Sequence, residues 1–440
     1  MTHPQDLSLV EQAEAIARGE LDATTLLTST LTRIAERDES INSTPIVFEE
    51  QSRRMLADAP DGPLRGVPVT VKDMFALPWR AAREATRYDL IPRGASGAYR
   101  RLRDAGAVVV GVANQHEFGL GTTGSVSAYG PMGNPWDPSR SAGGSSGGSA
   151  GAVAAHLVAG SLGSDSGGST RLPAAYCGVV GLKLTYGAMP YDGYFGSHTT
   201  FSAPGVITRN GADARLLAEA LLARSLPVRD GDELRVGIVR DPFWSDVDPE
   251  VAAADEAALA ESGWRVVDIE IEHLALAGAA TLSRLIAEVG IPSAQVMASL
   301  SRPTRALLLA GMLLPAHYTP RADRIRGALR RSTAQAFERV DLIAWPSAPT
   351  PAPRLSDTWI DLPSGRAPAD SANVRQASLA NATGVPGISL PVGLHSSNMP
   401  IGLQLLAPWG EDARLLDAAQ HLELVTDRRH VELVSPLARG

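Results

Sequence analysis

SAGGSSGGSAG, residues 141–151, is drawn only from Ser, Gly and Ala, and the architecture turns on how it is read. Composition alone would make it a flexible linker. It runs without a break into AVAAHLVAGSLGSDSGGSTRLPAAYCGVVGLKLTYG, residues 152–187. That continuation reads as a helix of small apolar residues, a short strand and a second glycine-rich turn, which no linker needs. The stretch is therefore a close-packed part of a folded core. Around it the pattern alternates. GVPVTVKDMF (66–75) reads as a strand entering a loop. AYRRLRDAG and AVVVGVAN (98–114) read as helix, turn and buried strand, and the order returns at ELRVGIVRD, PEVAAADEAALAESG and WRVVDIEI (233–271). Strands alternating with helices predict an α/β sheet covered by helices on both faces.

Amphipathic helices are expected at 7–18 and 23–38. VDLIAWPSAPTPAP (340–353) reads as a strand running into a Pro-rich loop, and two more strands are expected at 386–394 and 400–408, with a final helix at 411–425. No internal repeat or convincing linker divides the chain, so residues 1–440 read as one domain: N-terminal helices within 1–60, a core at 64–205, and a helical cap or funnel at 275–335.

The net charge of −8 argues against a nucleic-acid partner, and arginine runs such as RIRGALRR (324–331) read as solvated helix faces. A lone cysteine, Cys177, excludes an internal disulfide and fits a reducing compartment. One Cys and nine scattered His offer no zinc-ligand spacing, so no metal or cofactor is expected. The first residues show no secretory progression, and ALLLAGMLLPA (306–316) is too short to span a membrane. The expectation is a cytoplasmic protein, monomeric or homodimeric, with a small-molecule partner.

GSDSGGSTR (163–171) places Ser169 where a helix should begin, with Pro173 tolerated in the first turn. Backbone N–H groups at such a start can hold an anion, and the turn at Gly167 and Gly168 would aim them at one point. That describes an oxyanion hole beside a serine nucleophile; an isolated Ser in such a place is otherwise just an N-cap. Lysine usage shifts the balance. The chain has two lysines, Lys72 and Lys183, against a large excess of Arg. A desolvated Lys can be a neutral base near pH 7 where Arg cannot. Lys72 closes an expected strand, a common place for active-site residues in α/β sheets. With Lys72 as base, a Ser nucleophile needs no His.

These residues carry a resemblance. GGSSGGS, then G-x-D-x-G-G-S-x-R-x-P-A, then C-G-x-x-G-L-K-x-T, with the lysine of VTVKD at 72 and PIGLQLLAPWGEDARLL near the C-terminus, resemble the amidase signature family across most of the chain. The paired serines, Ser145 and Ser169, keep the family's separation of 24 residues. The resemblance implies a large mixed central sheet and a serine hydrolase in which Ser169 attacks the carbonyl and Ser145, after a cis peptide, relays its proton to Lys72. Backbone N–H groups of Ser166, Gly167, Gly168 and Ser169 would hold the oxyanion, and water would then release the acyl group. Asp165 and Arg171 match as loop-fixing partners. Cys177 and Lys183 match as structural residues, and His116 and His156 have no part in such a mechanism.

The chain departs from the family at Leu184, at the GAMP that follows, and at Ser202, where an Asp is usual. Leu172, three residues after the candidate nucleophile, offers neither a hydrogen bond nor a charge, which points to an apolar or aromatic acyl group. The aromatic run YDGYFG (191–196) points weakly the same way. Gly119 and Gly121 match the loop lining the family's substrate channel and would leave it wide. The implied activity is cleavage of C–N bonds in amides, extending to aryl amides, carbamates (a urethanase-type activity) or esters. The alternative is the ammonia-releasing component of a tRNA-dependent amidotransferase. An α/β-hydrolase elbow would need a strand before GGSSG, where NPWDPSRSA cannot form one, and no Gly-Lys-Ser/Thr ending marks a phosphate loop.

Overall fold

The computed structural model describes residues 3–193, 200–229, 233–240, 245–289, 292–426 and 435–439. Fifteen strands are described. Eleven of them form one sheet: β1 (Ile46–Val47), β2 (Pro68–Lys72), β3 (Val108–Ala113), β6 (Gly160–Asp165), β7 (Val180–Lys183), β8 (Ala203–Thr208), β9 (Arg235–Val239), β10 (Arg265–Ile269), β11 (Leu342–Pro346), β14 (Gly387–Leu394) and β15 (Pro400–Leu406). The others make two small hairpins, β4 (Gly133–Asn134) with β5 (Asp137–Ser141) and β12 (Trp359–Leu362) with β13 (Gly365–Pro368). β5 corrects the expectation that NPWDPSRSA cannot form a strand, but it pairs only with β4 and stands outside the large sheet, so it is not the strand a hydrolase elbow needs.

The order across the large sheet is β1-β3-β2-β6-β8-β7-β14-β15-β11-β9-β10. β3, β2 and β6 run parallel, as do β11, β9 and β10, while the strands between them are antiparallel. This is the large mixed α/β sheet that the resemblance implies. The amphipathic pattern at the N-terminus becomes the helices Leu9–Ala17 and Ala23–Arg37, capped by Ser8 and Asp22. The pattern at 275–335 becomes Ala277–Glu288, Ala294–Ser299, Arg302–Leu313 and Tyr318–Phe337.

β2, β3 and β6 are buried at every position, so helices cover both faces there. The small-residue run makes the helix Gly147–Ala154, also buried throughout. Its composition follows from how closely it lies against the loop after β3: a Cβ at Gly148 would sit 2.4 Å from the Asn114 nitrogen. The eleven-residue stretch is thus a wedge of backbone driven into the core, and larger side chains would force it out.

Parallel pairing of β3, β2 and β6 puts three carboxyl ends side by side. Lys72 pairs with Ala113, and Val71 pairs with Leu162. The segments leaving those ends, 73–86, 114–121 and 166–170, therefore meet at one place, as ligand sites in α/β sheets do.

Candidate active site

Lys72 is the last residue of β2 and is wholly buried. Its Nζ lies 2.7 Å from Ser145 Oγ and 2.8 Å from Ser164 Oγ. Ser145 follows a cis peptide after Gly144 and stands just ahead of the buried helix. Its carbonyl accepts from His116 N at 3.0 Å, and the next residue's N–H, that of Ser146, donates to the Ser169 carbonyl at 3.1 Å. Lys72, Ser145 and Ser169 are thus brought to one locus, with Ser169 showing 8% exposure and the other two less. Burial lowers the Lys72 amine to about 7, against the opposing charges of Glu84 and Asp165.

Ser164 is a site residue that sequence reasoning missed. It belongs to β6, the parallel neighbour of β2. Only that register puts its hydroxyl within reach of the lysine, and the sole signal in the sequence was its place directly before Asp165.

The turn after β6 differs from the expectation in an instructive way. The helix begins at Arg171, not at Ser169, and runs only to Cys177. Its N-terminal donors are already engaged by the Asp165 carboxylate. Gly168 N donates to Asp165 Oδ1 at 2.8 Å, and Thr170 N and Arg171 N reach Oδ2 at 3.2 and 3.4 Å. An oxyanion site that includes the Gly168 N–H is therefore corrected: that group is spent on Asp165. The N–H groups of Ser166, Gly167 and Ser169 donate to no described residue. Gly168 turns the chain between them at φ +105°, where a Cβ would also lie 2.2 Å from Ala377 Cβ.

Asp165 is itself anchored. Arg171 donates through Nε at 3.0 Å and Nη2 at 2.9 Å, and Asn381 Nδ2 adds a further bond at 3.0 Å. Burial alone would raise the carboxyl; Arg171, Lys183 and Asn381 together hold it well below the ordinary carboxylate range. Both Asp165 and Arg171 are fully buried, and Arg171 also reaches Gln404 on β15 and Asn381, so the turn is tied to the middle of the sheet. Ser166 Oγ is hydrogen-bonded to Ser202, the position where the resemblance led one to expect Asp.

The candidate substrate residues separate. Gly119 faces the locus: a Cβ there would lie 3.7 Å from Ser145 Oγ, with nothing else nearby. Gly121 does not leave a channel wide, because the His116 ring fills the space and a Cβ would come within 2.2 Å of it. Leu172 is buried in an apolar cluster with Tyr176, Ala348, Ala352 and Met399. Phe118 and Leu120, flanking Gly119, pack against Val289, Leu300 and Leu308 of the 277–313 helical region. Glu117 Oε2 accepts from both the N–H and hydroxyl of Ser301 there, at 3.0 and 2.7 Å. Of the aromatic run at 191–196, residues 194–196 lie outside the described residues. Cys177 is buried with its thiol pushed up by desolvation, as suits packing. Lys183 Nζ donates to the carbonyls of Val385 and Leu184 at 2.8 and 3.2 Å.

Comparison with known proteins bears on this arrangement directly. The Amidase family model matches residues 25–416. The chain belongs to the amidase signature family. It is 33% identical to a glutamyl-tRNA(Gln) amidotransferase subunit from Chromohalobacter salexigens, over 96% of this chain and 97% of that one. The corresponding protein of Thermus thermophilus is 34% identical over 95% and 97%. Among solved structures, a crystal structure of an amidase superposes with a TM-score of 0.89 at 32% identity, covering 95% of this chain and 99% of that one. The 6-aminohexanoate cyclic dimer hydrolase complexed with substrate gives 0.86 at 27% identity, covering 99% of each chain. This amidase signature protein is accordingly an enzyme acting on amide C–N bonds. Among the described residues no helix is long and apolar enough to cross a membrane.

Proposed function

We propose that this amidase signature enzyme is a stand-alone serine hydrolase that cleaves amides, and by the same chemistry aryl amides, carbamates or esters, through an acyl-enzyme on Ser169. The observation that carries the reading is Lys72 Nζ at 2.7 Å from Ser145 Oγ, in a buried site where the peptide after Ser145 is hydrogen-bonded to Ser169. Ser169 Oγ attacks the carbonyl carbon, passing its proton to Ser145 Oγ as the Ser145 proton moves to the Lys72 amine. The tetrahedral oxyanion takes hydrogen bonds from the free N–H groups of Ser166, Gly167 and Ser169. Collapse expels the amine, which carries the proton back by way of Ser145. Water then repeats the sequence on the acyl-enzyme. An amine at about 7 is half deprotonated near neutral pH, which suits a general base.

An apolar or aromatic acyl group is the best fit. Phe118 and Leu120, beside Gly119, bring neither charge nor side-chain hydrogen bonds, whereas Leu172, expected to line the acyl site, is instead packed into a separate apolar cluster. The helices Ala277–Glu288 and Arg302–Leu313 serve as the cap over the Gly119 loop. A fluorophosphonate probe on the purified chain, with the adduct mapped by peptide mass spectrometry, tests the reading. Labelling of Ser169 that is lost in Lys72→Ala supports it; labelling of Ser145 overturns it.

A second reading is favoured by the curated relatives named above, which are amidotransferase subunits. In it the chain releases ammonia from glutamine inside a complex. Turnover of aryl amides by the purified chain alone, without glutaminase activity, decides against that reading.

A further inference from the structure

Glu84 is buried completely, yet among the described residues neither carboxyl oxygen has a hydrogen-bond partner. Its backbone is left-handed at φ +50°, followed by Ala85 at φ +54°, a conformation that costs a non-glycine residue free energy. A β-carbon-bearing acid held in that backbone, without partners, is a doubly unfavourable choice for packing alone. The fold nevertheless clamps it. Glu84 N donates to the carbonyl of Asp73, the residue after Lys72, at 2.7 Å, and its own carbonyl accepts from Phe118 N at 3.0 Å. It is thereby held between the end of the lysine strand and the loop that carries Gly119.

The other charges around Lys72 are committed elsewhere. Asp165 is paired with Arg171. Asp73, which also faces Glu84, is paired with Arg80 and accepts from Tyr129 Oη and Ala85 N. His116 is kept toward its neutral form by burial. Arg83, next in the chain to Glu84, turns outward to Asp89. Among the described residues, Glu84 is the uncommitted carboxyl in electrostatic reach of the lysine.

Resting on the Lys72–Ser145–Ser169 reading, we propose that Glu84 is a positioning residue that acts through Lys72, the two side chains titrating as a coupled pair in which the carboxylate favours the ammonium formed when Lys72 accepts the proton from Ser145. Desolvation lifts the Glu84 carboxyl well above its ordinary range; the Lys72 charge offsets only part of that rise, and the Asp73 charge adds to it, so the acid ionises best when Lys72 carries its proton. In return the Glu84 charge raises the proton affinity of Lys72, so each group favours the charged form of the other. The ammonium generated during acylation would otherwise stand in a buried site with no free counter-charge. No atom of Glu84 need touch the substrate.

The test is the pH profile of kcat/KM for Glu84→Gln, which keeps the shape and removes the charge, and for Glu84→Gly, which also relieves the left-handed backbone. Each is checked for native thermal unfolding. The inference expects both acid limbs to move to lower pH by about 0.5–1 unit, with kcat falling about tenfold and KM little changed. An acid limb left in place in either folded variant overturns it, since a role in backbone shape alone moves stability and not the limb. Lys72→Ala, run beside them, separates the two readings. If Lys72→Ala keeps full activity, the base assignment itself fails; if it is inactive while the Glu84 variants titrate like the parent, only the present inference fails.

Discussion

The two lysines make a controlled comparison inside one molecule. Lys72 ends β2 and Lys183 ends β7, and both are wholly buried. Burial lowers both amines to about 7. A perturbed amine therefore does not by itself mark a base. The partners differ: Lys72 Nζ meets two hydroxyls, of Ser145 and Ser164, whereas Lys183 Nζ meets two backbone carbonyls, of Leu184 and Val385. A hydroxyl can give up a proton to an amine; a carbonyl has none to give. On the proposed mechanism the first lysine accepts a proton, while the second ties two chain segments together through their carbonyls.

The change that would undo this contrast most plainly is in turnover. Lys72→Met is expected to lower kcat by about a thousandfold or more, with the thermal transition preserved, since it removes a base while relieving a buried amine of its desolvation. Activity within about tenfold of the parent would end the distinction. Next comes Lys183→Met, expected to cost about 2–4 kcal/mol in denaturant unfolding, because two buried carbonyls each lose a donor. Where it folds, kcat should stay within about threefold of the parent; a dead but folded Lys183→Met would give the second lysine a chemical role.

The pH dependence separates the two amines further. With Lys72 at about 7, kcat/KM of the parent should rise as pH passes upward through 7, and Lys183→Met should keep that limb. A weaker effect lies in stability. Each amine is lowered in the folded state from its ordinary 10.5 to about 7, so between those pH values the unfolded chain binds more protons than the folded one. Stability should therefore increase with pH across that window, and below it both states carry the proton and the gain is absent. Lys183→Met should flatten part of the slope in unfolding free energy measured across the same window. An unchanged slope would mean that Lys183 keeps its proton when buried.

Much of this was legible in the chain. The strands at 68–72, 108–113, 235–239 and 265–269 fall within the predicted segments: the first two, buried at every position, are rich in β-branched residues, and the last two keep enough Val and Ile to read as strands although 265–269 lies largely exposed at the sheet edge. Lys72, Ser145 and Ser169 could be picked out as candidates too, for their types and spacing are unusual, and the structure brings Lys72 and Ser145 within 2.7 Å. Ser164 was not, because its relation to Lys72 runs across two strands 92 residues apart in sequence. Nor was the use of Gly168 N–H by Asp165, since a turn's donors look alike until a carboxylate claims them. Gly121 misled for a similar reason: a glycine announces that something approaches closely, and only packing reveals that the visitor is His116.

Residue type and local period were enough for the alternation of strands and helices, for the small-residue wedge, and for naming the candidate titratable and nucleophilic groups. They could not say which of two buried lysines faces a hydroxyl, which N–H groups remain free, or which carboxyl near Lys72 lacks a partner. Those belong to strand register and long-range pairing, where a shift of one residue turns every side chain to the opposite face.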